Sequence, residues 1–139
     1  MSTIKTNTLT GTSTAGSILV TGEGGSTTTN LQQGLCKGWA SVQLDDTVMD
    51  NLNLTTFTDN GTGDITHNFV NPMGNINFVS IGGNIRNNDG GVAWCGGYGS
   101  DSETDIKNTT GATRIYHLNA ANSAEDMRRA MVAVHGDLA

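Results

Sequence analysis

Ten of the first thirty residues are threonine, and only Lys5 and Glu23 among them are charged. None is aromatic, and the apolar residues are limited to the opening methionine, Ile4, Leu9, Ala15, Ile18, Leu19 and Val20. Threonine is β-branched and favours extended backbone. Such a segment has almost nothing with which to build a core of its own. It is either a disordered tail or an extended arm that becomes ordered against another chain, and both options point toward assembly rather than catalysis.

The whole chain carries the same bias. Of its 139 residues only 35% are hydrophobic and 5% aromatic, below the usual globular range. One modest core plus an arm fits that length, with much of the apolar burial expected between subunits. The net charge is −6 and the seven basic residues are scattered, with only Arg128 and Arg129 adjacent. A nucleic-acid groove needs clustered cations to displace counterions from phosphates, so nucleic acid is not an expected partner. No stretch has the length of a membrane span, and Met1 to Thr10 lacks the basic-then-apolar pattern of a signal peptide. A cytosol-like site of synthesis is therefore expected, with Cys36 and Cys95 reduced and buried rather than bridged.

Turn signals recur roughly every ten residues, the spacing of a β-sandwich or barrel. Nineteen glycines and one proline supply many of them. Extended segments are expected at Ser2–Leu9 and Ser17–Thr21. A long strand is expected over Leu35–Leu44, with Cys36, Gly38, Ala40, Val42 and Leu44 on one face and Leu35, Lys37 and Trp39 on the other. Asn51-Leu52-Asn53-Leu54 alternates polar and apolar, as a half-buried strand does, and Thr55 to Thr58 continues it. Asp59-Asn60-Gly61-Thr62-Gly63-Asp64 is a cluster of turn formers between alternating runs, with Ile65, His67 and Phe69 following, and reads as a hairpin. Asn75–Ile81 reads as a strand, with Ile76 and Phe78 on one face and Val79 and Ile81 on the other; Gly82-Gly83 then breaks the pattern. Val92–Cys95 and Thr113–Leu118 complete the strands, the latter with Arg114, Tyr116 and Leu118 on one side. The last segment is ambiguous. Met127, Ala130, Met131 and Val134 fall at helical spacing after an acidic start at Ser123 to Asp126, whereas Met131 to Val134 also suits a closing strand; periodicity alone leans to the helix.

Chemistry is sparse. His67, His117 and His135 belong to no catalytic motif and read as sheet-surface or partly buried side chains. No two of them have metal-ligand spacing. The Asp59–Asp64 run lacks the terminal glutamate of a calcium loop, and the glycines from Gly22 to Gly25 have no lysine to hold a phosphate. The expectation is a non-enzymatic chain with no cofactor and no bound metal. Trp94 and Tyr98 flank a glycine-rich loop and are the candidate glycan contacts, since aromatic rings stack on the apolar faces of sugars. Ile4, Leu9, Ile18, Leu19 and Val20 are the candidate oligomer or attachment contacts.

Three stretches carry a resemblance. Asn30-Leu31-Gln32-Gln33-Gly34-Leu35-Cys36-Lys37-Gly38-Trp39 is similar to a "GLAKAW" entry. Leu52 through Thr66, with Thr58-Asp59-Asn60-Gly61-Thr62-Gly63-Asp64 at its centre and Asn68-Phe69 beyond, is similar to a "TDNGTGDYT" hairpin before an "NF" strand. The ending from Arg114 through Val132-Ala133-Val134-His135-Gly136-Asp137 completes the pattern. Together they resemble a module of marine bacteriophage tail-fibre and virion appendage proteins, and Ser2-Thr3-Ile4-Lys5-Thr6-Asn7 is similar to the "STLKV" starts of such proteins. The sequence departs from the pattern at Cys36 and Gly38, where alanines are usual, and at His135, where an aromatic is common.

The resemblance implies an all-β fold: an extended arm over residues 1–33 that attaches or oligomerises, then a β-sandwich-like domain over 34–139, assembled as a homotrimer. It also implies that Met127–Gly136 is a strand. The implied role is that of a virion structural protein, a short tail fibre or appendage assembled in the host cytoplasm. Its implied partners are its own copies, other virion proteins (a tail adaptor or nozzle, or the capsid) and a host-surface glycan. A capsid decoration protein, acting as knob or cement, is the nearest alternative, and a carbohydrate-binding receptor-recognition module is the next.

Overall fold

The structure, a computed structural model, describes residues 3–11, 18–22, 25–43, 47–85, 94–97, 108–119 and 121–139, with backbone only at 94–97. The chain divides into two units, Met1–Leu35 and Cys36–Ala139.

In the first unit, residues 3–11 form no strand and are exposed throughout, so the extended segment expected at Ser2–Leu9 has no sheet partner. Two short strands follow, β1 (Leu19–Thr21) and β2 (Thr28–Asn30), paired antiparallel. A helical turn, α1 (Leu31–Gly34), comes next; Asn30 caps it by accepting a hydrogen bond from the Gln33 amide at 3.1 Å.

The second unit is all-β, with two four-stranded antiparallel sheets packed face to face. The first sheet runs β4 (Val48–Leu52), β3 (Gly38–Gln43), β10 (Arg129–His135), β7 (Val79–Ile85). The second runs β5 (Leu54–Gly61), β6 (Asp64–Phe69), β9 (Ala112–Leu118), β8 (Trp94–Gly97). We call them the first and second sheet. Between them sit Ala40 and Val42 of β3, Val132 and Val134 of β10, Leu54, Phe69, Ile115, and Met73 and Phe78 from the connecting segment. Phe69 and Phe78 meet edge to face at 5.6 Å, the arrangement that ring quadrupoles favour. The hydroxyls of Ser80 on β7 and Thr113 on β9 share a hydrogen bond of 2.7 Å across the two layers, and Thr113 also donates to Asn108.

Several local expectations change. The alternation from Asn51 through Thr58 is not one strand. Asn53 takes a positive φ of 57°, and the chain passes there from the first sheet to the second. Asparagine tolerates this left-handed backbone better than most residues. Its side chain holds the corner: Nδ2 donates to the carbonyls of Lys37 (2.9 Å) and Asn71 (3.1 Å), and Oδ1 accepts from the Asn71 amide at 2.7 Å. The strand expected from Asn75 begins only at Val79, because Asn75 accepts the Asn77 amide in a tight local turn. Gly82-Gly83 lies inside β7 rather than ending it. The closing segment is a strand: Ala130, Val132 and Val134 point into the core on alternate positions, so the helical spacing was coincidental. The hairpin around Asn60-Gly61 is present, joining β5 to β6, with Gly61 paired to Asp64 and positive φ at Gly61 and Gly63.

Candidate functional site

Cross-strand partners in a sheet share a face, so the registers define what each sheet turns outward. On the first sheet, Ile81 pairs with Ala133, Ala133 with Trp39, and Trp39 with Leu52. These four residues make one apolar row across the full width of the sheet, opposite the core. Beside the row on the same face lie Val79, Ile85 and Met131. Val79 is 60% exposed, Ile81 57%, Leu52 47% and Ile85 45%, while Trp39, Met131 and Ala133 are half-buried. A sheet apolar on both faces is ordinarily covered on both. Two opposite charges sit on this face, Asp50 paired with Ser41 and Arg129 paired with Gln43.

The second sheet is more polar outward. Its outward rows are Thr56–Asn68–Ala112, Thr58–Thr66–Arg114 and Gly61–Asp64–Tyr116–Gly96, with Leu118 beyond them on the β8 side. Asn60 Nδ2 donates to Thr66 Oγ1 at 2.8 Å and Asn68 Nδ2 to the Thr56 carbonyl at 3.1 Å. Arg114 grips the buried Asp64 carboxylate with two donors, Nε to Oδ1 at 2.6 Å and Nη2 to Oδ2. That bidentate geometry gives the strongest of the common charged hydrogen bonds.

Two histidines lie inside the second unit. His67 on β6 and His117 on β9 are essentially without exposed surface, deeper than the sheet-surface or partly buried positions expected for them. None of their four ring nitrogens has a hydrogen-bond partner. The His67 ring meets Phe57 edge to face at 5.2 Å. Burial, reinforced by nearby His117, pushes the His67 pKa down to about 4, against a weaker opposing pull from the backbone at Ile65 and Thr113. Burial also lowers His117, partly offset by the Asp126 carboxylate. Both rings are neutral at neutral pH. A ring with no exposed surface touches no dissolved substrate. A cavity of about 40 Å³ adjoins His117, lined also by Gln43, Asp59, Asp126 and Met127. It is far below the roughly 300–1,000 Å³ of small-molecule pockets and suits nothing larger than water. Among the described residues, no group of three or more His, Cys, Asp or Glu side chains is placed to hold a metal ion.

The expected attachment residues lie in the first unit. Ile4, Leu9, Leu19 and Val20 are exposed there and Ile18 is half-buried. Of the expected glycan contacts, Tyr98 lies outside the described residues, and Trp94 enters only as a backbone position in β8, opposite Leu118. Cys36 is a free thiol whose Sγ donates to the Gly38 carbonyl at 3.1 Å; the side chain of Cys95 lies outside the described residues. No helix among the described residues is long and apolar enough to cross a membrane. The apolar row was missed from sequence although its parts were visible, with Trp39 opposite the small-residue face of its strand and Val79 with Ile81 opposite Phe78. The missing signal was register between strands distant in sequence. No protein-family model, curated protein or solved structure matches this chain.

Proposed function

We propose that this chain is a structural subunit of a phage particle: a short tail fibre or similar appendage, working as a homotrimer. The observation that carries this reading is the amount of apolar surface a single copy leaves uncovered. Ile4, Leu9, Leu19 and Val20 are open in the first unit, and Leu52, Val79, Ile81 and Ile85 are open on one sheet face of the second. Contiguous exposed apolar patches of that kind mark interaction sites, and a chain with so small a core gains much of its stability from neighbours. The first unit, none of whose described side chains is buried, serves as the attachment segment. The β-sandwich projects, and many weak contacts made by copies on one particle add through multivalency.

The test is localisation on intact particles with a labelled antibody, combined with deletion of residues 1–29. Signal at the tail, lost on deletion while the sandwich stays folded, is the expected outcome. Signal over the head instead identifies a capsid decoration protein. A truncated chain that still decorates particles normally contradicts the role given to the first unit.

A further inference from the structure

We infer that the outward face of the first sheet is the surface through which one copy of this chain binds another, with Arg129 of one copy set against Asp50 of the next. The inference deepens the reading above and rests on it for the number of copies.

Charge is what selects the occupant. The chain carries a net charge of −6, so identical copies repel wherever their acidic surfaces meet. Among the described residues, the face around the Ile81–Ala133–Trp39–Leu52 row holds one carboxylate, Asp50, and one guanidinium, Arg129, and these balance. Asp50 lies on β4 and Arg129 on β10, two strands away, about 10 Å across the sheet. The two form no ion pair with each other within one copy. Asp50 accepts only the neighbouring Asn51 amide, and Arg129 makes no ion pair among the described residues. Each charge thus lacks, among the described residues, the partner that another copy supplies. Arg129 given to one neighbour and Asp50 to the other is a head-to-tail contact, which closes into a ring when the rotation allows. The apolar row supplies the burial and the charge pair fixes the register. The second sheet fits this role less well: its outward face carries Thr56, Thr58, Thr66, Asn68 and an Arg114 already held by Asp64, and its Tyr116 and Leu118 are half-buried rather than exposed.

The experiment uses the full chain and reads mass by light scattering across a dilution series, with circular dichroism as the check on folding. The wild type is expected to be an oligomer. Ile81→Glu is expected to remain folded, since Ile81 is largely exposed, and to raise the dissociation constant more than about tenfold, as loss of a central apolar anchor does. Thr58→Glu on the second sheet is expected to leave the mass unchanged. Asp50→Arg and Arg129→Asp are each expected to weaken association, and the double variant to recover it; this pair keeps the test decisive even if Ile81→Glu fails to fold. A monomeric wild type, an Ile81→Glu oligomer of undiminished affinity, or a double charge variant no better than either single one overturns the inference. Particle labelling separates the two ideas. A monomer found on particles defeats the interface and spares the virion role, whereas an oligomer that Ile81→Glu dissociates but that is absent from particles does the reverse.

Discussion

The two sheets of the sandwich share one core and differ in everything else. The first is apolar on both sides: alanines and valines inward, and Ile81, Ala133, Trp39 and Leu52 outward. The second turns mostly threonine, asparagine and the Asp64–Arg114 pair outward, with Tyr116 and Leu118 half-buried beside them, and carries polarity inward as well, with His67, Thr113 and His117 among its buried side chains. Where the first leaves apolar surface open, the second closes its polar groups against each other through Asp64–Arg114, Asn60–Thr66 and Asn68–Thr56. The difference teaches a division of labour. The second sheet stabilises and locks the single chain. The first keeps the apolar surface on which the proposed contact between copies rests.

Substitutions at matched positions can break or sharpen that contrast. The largest effect belongs to Gly63, at the tip of the β5–β6 hairpin, where φ is +72°. A Cβ there sits 2.5 Å from the His117 carbonyl oxygen and 2.9 Å from the Glu125 amide. Gly63→Ala is expected to cost about 4 kcal/mol from backbone strain and forced displacement together, measured by urea unfolding. Its counterpart on the open face, Gly83, meets only the flexible end of Met131 at 3.4 Å, and Gly83→Ala is expected to change stability by less than about 1 kcal/mol. Similar costs at the two glycines would dissolve the contrast between a locked and an open sheet.

Acid comes next in size. Above about pH 6.5, the ordinary histidine value, His67 is neutral in both folded and unfolded chains and its protonation contributes nothing. As the pH falls from there to about 4 the unfolded chain takes up a proton that the folded one refuses. Stability is then lost at about 1.4 kcal/mol per pH unit, about 3 kcal/mol in all, and the loss levels off below the folded value. His117, which faces Asp126 and Asp59 across the small cavity, adds to it in the same direction. His67→Leu is expected to flatten the acid limb of a stability–pH curve. An unchanged limb would mean that carboxylates alone govern acid unfolding. A smaller effect is expected at Arg114. Truncation to alanine strips the buried Asp64 carboxylate of its bidentate partner, and a cost of about 2 kcal/mol is expected after allowing for the partial exposure of the guanidinium. Thermal unfolding checks it. Asn68→Ala, which removes one side-chain hydrogen bond to the Thr56 carbonyl, is expected to cost about 1 kcal/mol.

Much of the fold was legible because its signals are local. The β5–β6 hairpin is written in Asn60-Gly61 and the alternation on either side. The face of β3 that enters the core is written in Gly38, Ala40 and Val42, small and apolar on every second residue. What escaped depended on distance. Alternation continues unbroken through Asn53 because a strand's period is the same whichever sheet it joins, so the change of sheet left no trace. Met127 to Val134 satisfies two periods at once, and only pairing with β3 and β7 decides between them. His67 and His117 looked like ordinary alternating polar residues; their burial is imposed by the facing sheet. The outward apolar row is likewise assembled from four strands whose members lie as far apart as Trp39 and Ala133.

The corner at Asn53 limits how copies can join. With its amide fastened to two separate stretches of backbone and a single residue between β4 and β5, the bend has no slack to pay out. Strand exchange, in which one molecule lends an element to its neighbour, needs a hinge that can straighten, and this one cannot do so without breaking every bond that holds it. Under the proposed pairing of copies, contact at this end of the sandwich would then form between finished surfaces, and such a contact could come apart and re-form without unfolding.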